Sequence, residues 1–284
     1  MYSVAHERQT TAQRPRCIRN LRCCSPPSGT TGSPKLVRLT AANLVANAAS
    51  IVEYLGLTPD ERAIMSLPFN YSYGLSVLNS HLHAGASVLL TNRSLMDGAF
   101  WRTLNAHEAT SLAGVPYSYD MLLSLRLARI DMPTVRMLTQ AGGRMHPDKL
   151  RDVAKICRSR GIRFFPMYGQ TEAIARLAYL APEEAAEKPA SIGRTIPGGR
   201  LWLERDDGSV IAAGGETGEL VYAPMCQWAM RNAPPTSHRP MPTMACCKLA
   251  ASLASTQPEP SAAASLLEGA WHPHLAGCGR TARD

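Results

Sequence analysis

Three clusters in this 284-residue chain combine residue types able to handle a polyanion. The first is SGTTGSPK, Ser28 to Lys35. Glycines let backbone N–H groups approach an anion closely. Hydroxyls donate to phosphate oxygens, and Lys35 adds a point charge. The spacing is not that of a Walker A loop, because Pro34 precedes the lysine and no Ser or Thr follows it. Taken alone, the same residues also suit a flexible surface turn. The second cluster is MYGQTEA, Met167 to Ala173, which follows an apolar run. Thr171 supplies a phosphate donor and Glu172 a carboxylate, and one carboxylate plus nucleotide oxygens suits Mg2+. The alternative is a polar loop with Glu172 in the first turn of a following helix. The third is Ala141-Gly142-Gly143, which permits either close approach of a flat ligand or a plain strand-to-helix turn.

The elements that must position these clusters are legible in the apolar periodicity. A helical pattern follows Thr40 and stops at Gly56. Further helices are expected over Gly74 to Leu82, Met96 to Ala106, Tyr117 to Leu127 and Pro147 to Arg160. Strands are expected at Ala63 to Leu67, Ala86 to Leu90, Thr110 to Ala113, Val135 to Leu138 and Ile162 to Met167. Repeated strand–helix alternation implies an α/β fold with a mainly parallel sheet flanked by helices. Ligands of such sheets gather at the carboxyl ends of strands, which is where Gly142-Gly143 and Tyr168 to Thr171 fall.

The pattern changes after PEEAAEKP, Pro182 to Pro189, a polar connector. Short strands follow at Arg200 to Arg205, Val210 to Ala212 and Gly218 to Ala223, with a hairpin signal at Asp206-Asp207-Gly208. The expected organisation is a basic tail over 1–27, an α/β core over 28–189, the start of a β-rich subdomain over 190–225, and a low-order Ala/Pro/Cys tail over 226–284. That tail offers one weak helical stretch, Ala262 to Leu267.

Together the motifs resemble the adenylate-forming superfamily of acyl- and aryl-CoA synthetases, adenylation domains and luciferases. SGTTGSPK is similar to its phosphate loop. LPFNYSYGLS, Leu67 to Ser76, resembles the aromatic-bearing helix entry beside the acyl pocket. QAGG resembles the adenine-side glycine turn, and YGQTE the Tyr-Gly-x-Thr-Glu motif. GETGELVYAP, Gly215 to Pro224, resembles the strand that follows. The resemblance spans about residues 28–225.

It implies ATP and Mg2+ as cofactors, a small-molecule carboxylic acid as substrate, and coenzyme A or a carrier-protein pantetheine as acyl acceptor. Nucleotide binding would fall to Ser28, Gly29, Thr30, Thr31, Gly32, Lys35, Gly142, Gly143, Tyr168, Gly169, Gln170 and Thr171. Lys35, Thr171 and Glu172 would be catalytic, with Glu172 on the metal. Tyr71, Tyr73 and Gly74 would border the acyl pocket, although a core role for the two tyrosines is equally open. The family's ribose-binding Tyr-x-Thr-Gly-Asp motif and its C-terminal catalytic lysine find no match in 226–284, where Lys248 is the only lysine. The expectation is a truncated chain, with ends arising from a frame shift or a mistaken gene model, and impaired synthesis. The alternative is a non-catalytic nucleotide-binding or interaction fragment.

Composition agrees with these limits. The net charge of +8 divides into +4 over 1–27, +2 over 28–225 and +2 over 226–284. The long middle is nearly balanced, so nucleic acid is not an expected partner. Seven of the eight cysteines lie outside 28–225, leaving Cys157. That distribution argues for reduced thiols and a cytoplasmic protein. The Cys and His residues of the tail lack regular zinc spacing. No apolar run reaches the ~18 residues that span a bilayer.

Overall fold

Thr40 caps the first helix as its position predicts. Its hydroxyl accepts from the Asn43 amide at 3.1 Å, and the helix closes on Gly56 in the left-handed region (φ +62°). The computed structural model describes residues 21–25, 37–171, 175–212, 215–224, 247–254 and 267–268. In chain order the elements are β1 (Leu21–Ser25), β2 (Val37–Thr40), α1 (Ala41–Leu55), β3 (Arg62–Met65), α2 (Ser72–His83), β4 (Ser87–Leu90), α3 (Gly98–Ala106), β5 (Ser111–Gly114), α4 (Pro116–Ser124), β6 (Met137–Gln140), α5 (Pro147–Ser159), β7 (Arg163–Tyr168), β8 (Ala178–Tyr179), β9 (Ser191–Thr195), β10 (Gly199–Glu204), β11 (Thr217–Pro224), β12 (Cys247–Ala254) and β13 (Leu267–Glu268).

Eight strands form one sheet in the order β13-β9-β8-β7-β6-β5-β3-β4. The five strands from β4 to β7 are mutually parallel, and β8, β9 and β13 continue antiparallel. Side chains alternate across this sheet, and both faces are covered. Ile64, Leu112, Leu138 and Phe164 point to one face and pack with Phe100 and Leu104 of α3, Leu122 of α4 and Val153 of α5. Ala63, Met65, Ala113, Met137 and Phe165 point to the other and meet Ile51 and Leu55 of α1 and Val77 of α2. Each fully buried Leu, Ile or Phe contributes roughly 1.5–3 kcal/mol. The central strands are buried on both faces, including polar Ser111, Thr139 and Gln140, so none shows the inside–outside alternation of a sheet with one wet face.

A separate antiparallel sheet, β10-β11-β12, carries a second core of Leu203, Leu220 and Tyr222 with Ile211 and Leu177. The Asp206-Asp207-Gly208 turn forms, with Gly208 at φ +83°. The strand expected at Val210 to Ala212 shrinks to one bridge, Glu204 to Val210, because this hairpin arm is only a few residues long. The helix expected to Leu127 stops at Ser124. Arg126 adopts φ +59° and a single 3-10 turn, Leu127–Arg129, follows. The polar connector buries Ala185 and Ala186 against the α3–α5 core, while Glu187 pairs with Arg158 at 2.9 Å. Strand β9 belongs to the large sheet, and the smaller sheet begins at Gly199. Within the two flanks, β1 pairs with β2, β12 with β11 and β13 with β9. Apart from Leu267, the expected helical stretch at Ala262 to Leu267 lies outside the described residues.

Candidate active site

The carboxyl ends of β6 and β7 open into a cavity of about 490 Å3. Three segments make most of its wall. Gln140 to Met145 leave β6, Pro166 to Thr171 end and follow β7, and Tyr71 to Tyr73 begin α2. Pro189 to Ile192, leading into β9, close the remaining side. The volume lies within the ~300–1,000 Å3 usual for small-molecule sites.

Two glycines are required here by close approach. Gly142 sits at φ +79°, and a Cβ on it would come within 2.0 Å of the Tyr71 hydroxyl. A Cβ on Gly169 would come within 1.6 Å of the Ala175 carbonyl oxygen. The glycine turn is pinned by Gln140, whose side chain is almost fully buried and whose amide donates to the Gly143 carbonyl at 2.9 Å. The loop after β7 closes on itself. The Ala175 N–H donates to the Gln170 carbonyl and the Leu177 N–H to the Tyr168 carbonyl, each at 2.9 Å. Gln170 donates to the Tyr168 hydroxyl at 3.1 Å.

Thr171 is buried, and its hydroxyl lies 3.0 Å from that of Ser72 at the start of α2. The α2 entry is therefore tied directly to the β7 loop. Tyr73 forms the deeper wall. Its hydroxyl meets the Thr139 carbonyl at 3.0 Å, and Tyr119 donates to the same carbonyl at 2.8 Å from the opposite face of the sheet. Burial pushes the Tyr73 phenol far above its ordinary value, so it remains a neutral donor. Burial also raises Tyr71.

Of the residues expected from the sequence, Tyr71, Tyr73, Gly142, Gly143, Tyr168, Gly169, Gln170 and Thr171 line this one cavity. Gly74 stands just behind the wall, where a Cβ would come within 2.4 Å of the Pro68 carbonyl oxygen. Ser28, Gly29, Thr30, Thr31, Gly32, Lys35 and Glu172 lie outside the described residues. The wall also uses Ser72 and Gln140, which lie inside the LPFNYSYGLS and QAGG motifs without an assigned role, and Arg144 and Met145, which no motif includes. For Gln140 and Ser72 the signal was their place within those motifs. Among the described residues no three His, Cys, Asp or Glu side chains cluster as a metal site, and no helix is long and apolar enough to cross a membrane.

Bare backbone at Gly142-Gly143, an aromatic at Tyr168 and a hydroxyl at Thr171 meet at the ends of adjacent parallel strands, the edge of an α/β sheet where ligands gather. The chain belongs to the AMP-binding enzyme family, whose model matches residues 25–226. It is 32% identical over 180 residues to the 2-succinylbenzoate--CoA ligase of Bacillus subtilis, covering 63% of this chain and 35% of that one. It is 32% identical over 197 residues to the indoleacetate--CoA ligase of Aromatoleum aromaticum, covering 68% and 37%. A solved structure of the B. subtilis O-succinylbenzoate coenzyme A synthetase, in complex with ATP and magnesium ion, superimposes with a TM-score of 0.63 at 30% identity, over 72% of this chain and 41% of the other. The chain thus spans well under half the length of these three relatives.

Proposed function

We propose that the cavity holds an adenine nucleotide, with adenine between Gly142-Gly143 and Tyr168 and the α-phosphate against Thr171. The observation that carries this reading is the convergence of those four residues on one void at the ends of β6 and β7. The chemistry is that of an AMP-forming acid–thiol ligase. A small-molecule carboxylate attacks the α-phosphorus, the bond to the β-phosphate oxygen breaks, and pyrophosphate leaves. A thiol of coenzyme A, or of a carrier-protein pantetheine, then attacks the acyl carbon and releases AMP. In this reading Ser28 to Lys35 cradle the β- and γ-phosphates, and Glu172 holds Mg2+. The metal supplies charge neutralisation on the phosphate oxygens.

Tyr71 and Tyr73 border the acid, the aromatic faces giving it an apolar wall. Relatives named for 2-succinylbenzoate and indoleacetate support a small carboxylic acid. Residues 226–284 carry neither the ribose-binding Asp motif nor a lysine in a glycine-rich setting. A cytoplasmic setting is supported by the cysteine distribution and by Cys157, a free buried thiol. Thermal stabilisation of the full chain by AMP and by ATP with Mg2+ tests the reading. A rise in Tm that saturates with ligand is expected, and no shift at millimolar AMP would overturn it. Pyrophosphate exchange with a panel of carboxylic acids tests the adenylation step.

A further inference from the structure

Arg176 is the largest fully buried side chain among the described residues, with 1% of its surface exposed. A guanidinium so deeply placed ordinarily has an acidic partner. Here every described partner is neutral. Nε donates to the Ser76 hydroxyl at 3.1 Å, and Nη1 to the Tyr54 hydroxyl at 2.9 Å and the Met167 sulfur at 3.2 Å. The guanidinium carbon lies 5.1 Å from the centre of the Tyr73 ring. Its backbone carbonyl accepts from Asn47 of α1 at 3.3 Å. Glu172, four residues upstream, lies outside the described residues.

Position gives this charge a use. Tyr73 and Met167 both line the cavity, so the guanidinium sits one side-chain layer behind its wall. It also fixes the loop that carries Thr171. Ala175, just before it, is held at φ +75°, a conformation that costs of order 1–3 kcal/mol for a residue with a Cβ. An apolar side chain of similar length would fill the same space without desolvating a charge. In a medium of low polarity a cation acts through one layer of side chains.

We propose that Arg176 is a positioning residue whose guanidinium, held behind Tyr73 and Met167 by Ser76 and Tyr54, favours a nucleotide phosphate against Thr171. The inference rests on the cavity being a nucleotide site.

The test is titration calorimetry of the full chain with AMP and with adenosine, which differ only in the phosphate. The wild type binds AMP more tightly than adenosine. Arg176→Met narrows that ratio by about tenfold, the size of a charge interaction across one layer, while adenosine affinity stays within about twofold. Arg176→Lys, which keeps the charge, retains most of the ratio. A merely structural brace would lose both ligands together. Arg176→Gln, neutral but able to hydrogen-bond to Ser76 and Tyr54, repeats the measurement if the Met variant does not fold. An unchanged ratio in a folded neutral variant overturns the proposal, as does equal loss of both ligands. If both neutral variants are unfolded by circular dichroism, Arg176 is a brace and the proposal falls. Failure of the wild type to bind either ligand overturns the nucleotide reading itself, and the inference with it.

Discussion

The Tyr71 hydroxyl rests against the Cα of Gly142, leaving no room for a methyl group between them. This contact joins the start of α2 to the turn after β6 and closes the cavity between them. Gly142→Ala therefore adds a clash to the strain of a left-handed backbone. It should destabilise the chain by about 1–3 kcal/mol in urea denaturation and abolish AMP-dependent stabilisation. Tyr71→Phe in the same chain removes the clashing oxygen and should recover part of the loss. Equal losses in the single and double variants would show that the clash is not the cause.

The Ser72–Thr171 pair makes a graded prediction. Ser72→Ala leaves the Thr171 hydroxyl without its 3.0 Å partner and should cost about 0.5–1.5 kcal/mol of stability. AMP affinity should fall a few-fold as the hydroxyl loses its orientation. Thr171→Val removes the donor itself and should weaken AMP more than Ser72→Ala does, with adenosine less affected. Calorimetry on the three chains would check the order.

Lys35 and Thr171 should separate by ligand. If Lys35 serves the β- and γ-phosphates, Lys35→Ala weakens ATP by about tenfold or more, as expected for loss of a charge-assisted contact, and leaves AMP nearly untouched. Thr171→Val weakens both. Parallel Tm shifts with the two nucleotides would expose a wrong assignment as equal losses.

His81 should make the fold acid-sensitive. Burial lowers its pKa, with the nearby Arg176 charge acting the same way and the Val77 carbonyl and Glu61 opposing. Its Nδ1 lies 2.9 Å from the Val77 carbonyl oxygen, and its Nε2 lies 3.4 Å from the Ser111 hydroxyl. A depressed folded value means the unfolded chain binds the proton more readily. Stability is thus full above the unfolded value near 6.5 and declines as pH falls toward the folded one, by up to about 1.4 kcal/mol per pH unit. Urea midpoints between pH 8 and pH 5 should fall in the wild type and fall less in His81→Gln. Identical slopes would remove His81 as the cause.

Local chemistry alone was enough to place much of the scaffold. Thr40 and Gly56 bound α1 because a hydroxyl satisfies free N–H groups at a helix start and glycine accepts φ +62° at its end. Short, largely apolar segments alternating with helical patterns marked β5, β6 and β7 as strands of a parallel sheet. The turns Gly142-Gly143 and Tyr168 to Thr171 followed, because in a parallel sheet such turns gather at one edge. What needed the tertiary structure were the contacts between distant segments. Ser72 meets Thr171 across 99 positions, and Arg176 meets Ser76 across 100. Neither pair has a local signature, because their approach depends on β7 lying beside β6 and on α1 and α2 sharing one face of the sheet. The burial of Ala185 and Ala186 inside a charged connector has the same origin. Propensity and spacing act over a few residues, whereas the cavity wall, and the buried cation behind it, are set by strand order and by which helices cover which face.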